Sequence, residues 1–195
     1  MVKPVIKESD EDAEVLVLLS GGIDSSACLH FYKDSGRKTC AMFIDYEQSA
    51  VLNEDRAAKA IAAHYGVQLF TVQWRGVASK GTGRITARNA FFLIAALMEC
   101  SDEIAIIATG VHAGTEYADC SEVFIERMQS IFDVYTEGAV QVGAPFADWS
   151  KGDIFAYATA NRLPIDLTHS CEEGGTRPCG KCLSCLDREA LEGYA

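Results

Sequence analysis

The sequence predicts an α/β protein with a doubly wound, mainly parallel sheet of about five strands, helices on both faces, and a small metal-binding segment at the C-terminal end. Three observations lead there. Short apolar runs alternate with segments of helical period along most of the chain. The first apolar run ends in a Gly-rich turn, Ser20-Gly21-Gly22-Ile23-Asp24-Ser25-Ser26, that opens into a helix. Four of the 8 cysteines crowd into the last 25 residues.

Each element has its own signal. Glu14 to Leu19 is a short apolar run of the kind a buried strand needs, and Asp24 to Tyr32 continues as a helix. Cys40 to Asp45 reads as the second strand. Val51, Ala58, Ile61, Ala62 and Tyr65 then mark one face of a helix spanning 50–65, and 67–72 the third strand. Arg88 to Cys100 is apolar enough to predict a buried helix, followed by a fourth strand over 103–109 that ends at Gly110. Phe124, Met128, Ile131, Phe132 and Tyr135 follow helical spacing. Val140 to Val142 is a short fifth strand closed by Pro145. Ser150 and Asp153 form a capping box that opens a helix reaching Asn161, and Pro164 stops it. Residues 1–13 read as a polar tail, 14–169 as one nucleotide-binding domain, and 170–195 as a loop-rich four-cysteine segment packed on that domain.

Composition narrows the class. Hydrophobic residues make up 49% of the 195, which fits a globular domain rather than a disordered chain. The formal net charge is -11 and Lys and Arg are scattered, so no basic surface for tracking a nucleic-acid backbone is expected. The longest apolar run, Ala90 to Met98, falls short of the ~18 residues of a membrane span. No apolar leader precedes the first strand, so a cytoplasmic protein with reduced cysteines is expected.

In an open parallel sheet, ligands sit beyond the carboxyl ends of the strands. The turn Ser20–Ser26 lies there. Its two glycines permit a tight turn and a close approach to an anion, and the helix behind it offers free N–H groups and a positive dipole end. Ser20, Ser25 and Ser26 add hydroxyls, and Asp24 suits a magnesium ion or a helix cap. No Gly-Lys-Ser/Thr follows, so this is not a Walker loop. Leu19 and Asp45, which close the first two strands, complete the nucleotide-binding candidates, and His112, just past Gly110, is the best histidine candidate for the site. Cys171, Cys179, Cys182 and Cys185 have the spacing C-x7-C-x2-C-x2-C, which suits a closed tetrahedral zinc site of structural type, with an iron–sulfur cluster as the rival.

The loop resembles the S-G-G-x-D-S loop of the ATP pyrophosphatase (PP-loop) superfamily, whose fold is adenine nucleotide alpha hydrolase-like. The chain as a whole resembles the 7-cyano-7-deazaguanine synthase family. That resemblance is carried by the loop, by Asp45-Tyr46 with Gln48, and by Ala87-Arg88-Asn89. It continues in Gly110-Val111, Tyr117-Ala118-Asp119-Cys120, Ser150-Lys151, Thr168-His169-Ser170-Cys171 and Pro178 to Cys185 with Arg188. It implies an ATP-dependent carbon–nitrogen ligase of queuosine biosynthesis that joins 7-carboxy-7-deazaguanine and ammonia, acting as a homodimer with Mg2+ and a structural Zn2+. It implies ATP on Ser20–Ser26, catalytic roles for Asp24 and Lys151, and substrate contacts from Arg88, Asn89, Gly110, Tyr117 and Asp119, with Glu116 as a further carboxylate candidate.

One stretch departs from the family. Where the family carries Gly-Gln, a basic residue and His after Asp-Tyr, with a Glu three residues later, this chain has Glu47-Gln48-Ser49-Ala50-Val51-Leu52-Asn53-Glu54. The connection from Trp74 to Arg88 is also shorter. The change leaves open a divergent relative that adenylates another carboxylate, including one on a protein or peptide in anti-phage defence, and an inactive nucleotide-binding module.

Overall fold

Strand β1 (Glu14–Leu18) stands at the centre of a five-stranded sheet in the order β3-β2-β1-β4-β5, with every neighbouring pair parallel. The computed structural model describes residues 14–76, 85–115 and 117–193. The other strands are β2 (Thr39–Asp45), β3 (Leu69–Gln73), β4 (Ile104–Ala108) and β5 (Gln141–Gly143). The helices are α1 (Ile23–Asp34), α2 (Val51–Tyr65), α3 (Arg88–Glu99), α4 (Glu122–Thr136), α5 (Lys151–Ala160) and α6 (Leu183–Glu192). The all-parallel arrangement follows from the alternation of strand and helix, because each crossover helix carries the chain back to the end of the sheet where the previous strand began.

Both sheet faces are covered, as the continuous apolar runs require. Val15, Val17, Phe43 and Ala108 face α1, α2 and α5. Leu16, Met42, Ile44 and Ile107 face α3 and α4. A register irregularity between β1 and β4 sets Glu14 opposite Ile104 but Val15 opposite Ile106. Ile104 therefore packs with one core and Ile106 with the other.

The predicted elements are present with ends shifted by at most two residues. The capping box at Ser150 is formed in both directions, with Ser150 Oγ accepting from the Asp153 N–H and Asp153 accepting from the Ser150 N–H. Two expectations change. Helix α3 is not buried throughout: it lies on one face of the sheet, so Leu93, Ala95 and Ala96 are covered while Met98 is 68% exposed. The segment after Ser170 is not only loop, because Cys182 starts helix α6.

The sheet order places the switch point between β1 and β4, where the connections leave in opposite directions. The loop after β1 and Gly110, after β4, flank that crevice.

Candidate active site and metal centre

The crevice is built by backbone before any side chain enters it. Gly21 sits at φ +86°, a conformation natural to glycine, and a Cβ there would lie 2.7 Å from the Glu54 carbonyl oxygen. Gly110 presses on the loop itself, since its Cβ would meet the Asp24 carbonyl oxygen at 2.7 Å and the Ser25 nitrogen at 3.0 Å. The two glycines let α2 and the end of β4 pack against the turn.

Helix α1 begins at Gly22 with no side-chain cap, unlike α4 and α5, whose first turns are capped by Ser121 and Ser150. Its first N–H groups are thus left for an anion. Ser20 Oγ and Ser25 Oγ lie 3.1 Å apart at the mouth, and Ser25 Oγ donates to the Gly22 carbonyl. Ser26 differs from the expectation: it is fully buried, and its hydroxyl has no hydrogen-bond partner among the described residues. Leu19 and Ile23 bury their side chains in the core and contribute backbone only.

Asp24 faces His112. The imidazole Nε2 is 3.8 Å from Asp24 Oδ2, while its Nδ1 accepts from the Gly114 N–H at 3.0 Å. The Gly114 bond assigns the proton to Nε2, which therefore points at the carboxylate. Burial lowers the His112 pKa below its ordinary value of 6.5; Asp24 opposes that shift and Lys151 adds to it. The second Asp24 oxygen, Oδ1, is buried without a partner among the described residues. Lys151, at the start of α5, pairs with Asp187 of α6 at 3.0 Å. A loop acid, a buried histidine and a lysine are thus brought together beside the uncapped helix start.

The other predicted residues divide. Asn89 and Asp119 hold each other: the Asn89 N–H donates to Asp119 Oδ2 at 3.3 Å, and Asn89 Nδ2 donates to the Asp119 carbonyl at 2.9 Å and to Cys120 Sγ at 3.4 Å. Asp119 thereby serves the first turn of α3. Asp45 accepts from the Glu47 N–H and meets Arg75 at 3.2 Å, so its carboxylate belongs to its own loop. Tyr117 lines a groove of about 410 Å³ with Thr115, Cys120 and Asp148, apart from the phosphate loop. Glu116 lies outside the described residues.

Arg88 stands in a group the sequence did not reveal. It lies near Tyr46 and Glu54: burial raises the pKa of each, and the guanidinium opposes that rise in both. Gln48 Nε2 donates to Glu54 at 2.8 Å. A polar pair inside the chain's divergent stretch was the only available signal.

The four C-terminal cysteines converge, with sulfurs all within 4.8 Å of one another. They can hold a metal ion in a closed tetrahedral site. Backbone N–H groups of Lys181 and Cys182 pull the Cys179 thiol down to about 6, which favours a thiolate ligand, while desolvation pushes Cys185 up to about 12. The His169 N–H donates to the Gly21 carbonyl at 2.8 Å, which ties the cysteine segment to the phosphate loop.

A parallel sheet whose central strand runs into a Gly-rich helix start at the switch point defines a doubly wound α/β fold. Solved structures agree. The U34-tRNA thiolase NcsA from Methanococcus maripaludis, with its 4Fe-4S cluster, is similar at TM-score 0.52 and 15% identity over 95% of this chain and 66% of that one. An NH3-dependent NAD synthetase from Campylobacter jejuni is similar at TM-score 0.51 and 16% identity over 83% and 69%. At such identities these likenesses concern the fold alone.

The sequence comparison is more specific. The chain belongs to the family described as queuosine biosynthesis protein QueC, whose model matches residues 14–83 and 79–195. It is 31% identical to a 7-cyano-7-deazaguanine synthase of Desulfitobacterium hafniense over 93% of this chain and 88% of the relative. A synthase of the same name from Prochlorococcus marinus strain AS9601 is 29% identical over 92% and 93%.

Proposed function

We propose that this chain converts 7-carboxy-7-deazaguanine and ammonia to 7-cyano-7-deazaguanine at the expense of ATP. The observation that carries this reading is the uncapped loop Ser20–Ser26, framed by Gly110, in a chain whose relatives bear that synthase's name.

A carboxylate does not yield to ammonia at neutral pH, because oxide is not a leaving group. A substrate carboxylate oxygen attacks the α-phosphorus of ATP and pyrophosphate departs, leaving an acyl adenylate. Ammonia then adds to the carbonyl carbon, AMP leaves, and loss of a proton gives the amide. The amide oxygen takes a second adenylyl group in the same way. Loss of AMP and the remaining nitrogen protons completes the nitrile.

The loop N–H groups and the Ser20 and Ser25 hydroxyls bind the departing pyrophosphate. Asp24 would hold a magnesium ion, which would offset phosphate charge, and its partnerless Oδ1 suits that task. Lys151 offsets charge that grows on the phosphates. The four thiols would hold zinc as a structural ion, and the resemblance extends to a cytoplasmic homodimer.

The test is to incubate the pure protein with Mg-ATP, 7-carboxy-7-deazaguanine and ammonium, and to follow products by mass spectrometry. Nitrile with two AMP and two pyrophosphate is expected. Amide alone would restrict the activity to the first activation. No product with ATP still bound would overturn the reading and direct the search to other carboxylates, including those on proteins and peptides.

A further inference from the structure

The divergent stretch after Tyr46 builds a mixed group of side chains at the ends of β2, α2 and α3. Gln48 works as a strap: its Oε1 accepts from the Tyr46 N–H at 2.9 Å, and its Nε2 reaches the Ile44 carbonyl and Glu54 Oε2. Arg88, the first residue of α3, lies near Glu54 and stands one turn before Phe92. Tyr46 packs its ring on Phe92, with centroids 5.1 Å apart, and lies beside the same guanidinium. The second nearby carboxylate, Glu172, is engaged by Ser184 Oγ at 2.8 Å. Glu54 is therefore the acceptor of this group not claimed by the cysteine segment.

Its position relative to the phosphate loop is set by the backbone. The Glu54 carbonyl lies against Gly21 so closely that no Cβ could intervene. Whatever Glu54 and Arg88 hold is consequently kept at a defined distance from the site where the α-phosphate must lie.

We propose that Glu54 and Arg88 read the Watson–Crick edge of the deazaguanine ring. That edge presents one acceptor, O6, followed by two donors, N1–H and the 2-amino group. A guanidinium beside a carboxylate is its complement: Arg88 donates to O6, and Glu54 accepts from N1–H and N2–H. The inference rests on the synthase reading above and specifies the part of the substrate that this site selects. Burial raises the Glu54 pKa, so the carboxylate has lost water that two ligand N–H groups would replace.

The experiment compares 7-carboxy-7-deazaguanine with its counterpart lacking the 2-amino group, 7-carboxy-7-deazahypoxanthine, as substrates for the unaltered protein, Glu54→Gln and Glu54→Asp. The unaltered protein should favour the amino-bearing acid by roughly 10- to 100-fold in kcat/KM, the size of one hydrogen bond to a charged acceptor. Glu54→Gln should lower kcat/KM for both acids, through the N1–H contact they share, but roughly 10-fold more for the amino-bearing acid, and so erase most of the preference. Glu54→Asp, which retains the charge, should retain part of it and serves if the glutamine variant does not fold. Equal losses on both acids, with the preference intact, would show a structural role and overturn the inference. An unaltered protein that binds ATP but turns over neither acid would overturn the synthase reading, and this inference with it.

Discussion

Replacing Gly110 by alanine tests whether the phosphate loop is seated by the end of β4. The added Cβ would stand 2.7 Å from the Asp24 carbonyl oxygen, 2.8 Å from its carbon and 3.0 Å from the Ser25 nitrogen. All three are backbone atoms, so no side chain can swing away. Ordinary contact requires the first turn of α1 to retreat by about 0.3–0.7 Å. The turn resists, because Ile23, Ala27 and Cys28 are buried behind it and the Ser26 N–H is bonded to the Gly22 carbonyl at 3.0 Å. Overpacking of this kind costs about 1–3 kcal/mol of stability. The retreat also moves the Ser25 N–H from where a phosphate oxygen would accept it, and a misplacement approaching 1 Å at a reacting centre costs on the order of 10²-fold in rate. Gly110→Ala should thus unfold at lower urea and bind ATP roughly 10-fold or more weakly. Calorimetric titration with a non-hydrolysable ATP analogue, alongside urea unfolding, measures both. An alanine variant that binds the analogue as tightly as the unaltered protein would refute the claim that Gly110 seats the loop.

The remaining predictions concern other parts of the molecule. Removing the metal with a chelator, or replacing Cys179 by serine, should unwind α6 and weaken ATP binding several-fold, because His169 couples the cysteine segment to Gly21; circular dichroism and nucleotide titration check it, and unchanged ATP affinity would count against the coupling. Visible absorption and elemental analysis of the protein as purified should show zinc rather than an iron–sulfur chromophore. Burial holds the folded His112 pKa below its ordinary 6.5, against Asp24 and Asp187 and together with Lys151. The folded state then binds fewer protons than the unfolded one, so stability is fully present above about 6.5 and is lost as pH falls through the lowered folded value. His112→Asn should flatten that acid limb in urea midpoints measured against pH. Gly152 lies exposed inside α5 with only Ser150 Oγ near its Cβ position, at 3.6 Å, so Gly152→Ala should raise stability by about 0.5–1 kcal/mol in the same urea assay.

The fold was legible because it rests on period. β1, β2 and β4 are buried on both faces and appear as unbroken apolar runs, and α4 shows its covered residues at helical spacing. The Gly-rich turn after β1 and the cysteine cluster were legible because each is local in sequence. What remained hidden is what depends on distant pairing. Nothing in the run Asp119-Cys120 shows that Asn89 occupies the aspartate, 30 residues away. Nothing near Ser26 shows that its side chain is fully buried. Helix α6 was hidden for another reason: its first residue follows a cysteine cap in a Gly- and Cys-rich stretch, so the start signals that Ser150 supplies for α5 are missing.

The cysteine segment does more than close the chain. Arg188 of α6 donates to the Thr168 carbonyl at 3.2 Å, and His169 donates to Gly21 one residue further on. On the other side, Asn53 Nδ2 reaches the Gly175 carbonyl at 2.8 Å, and Gly174 packs against Ser49. Asp187 holds Lys151. The segment therefore touches the phosphate loop, the start of α2 that carries Glu54, and the lysine beside His112. A closed metal site of four thiolates has no position for a reacting ligand. On the proposed function, its contribution would be to hold three otherwise separate surface loops in one arrangement, so that the two ends of the proposed site keep their spacing during turnover.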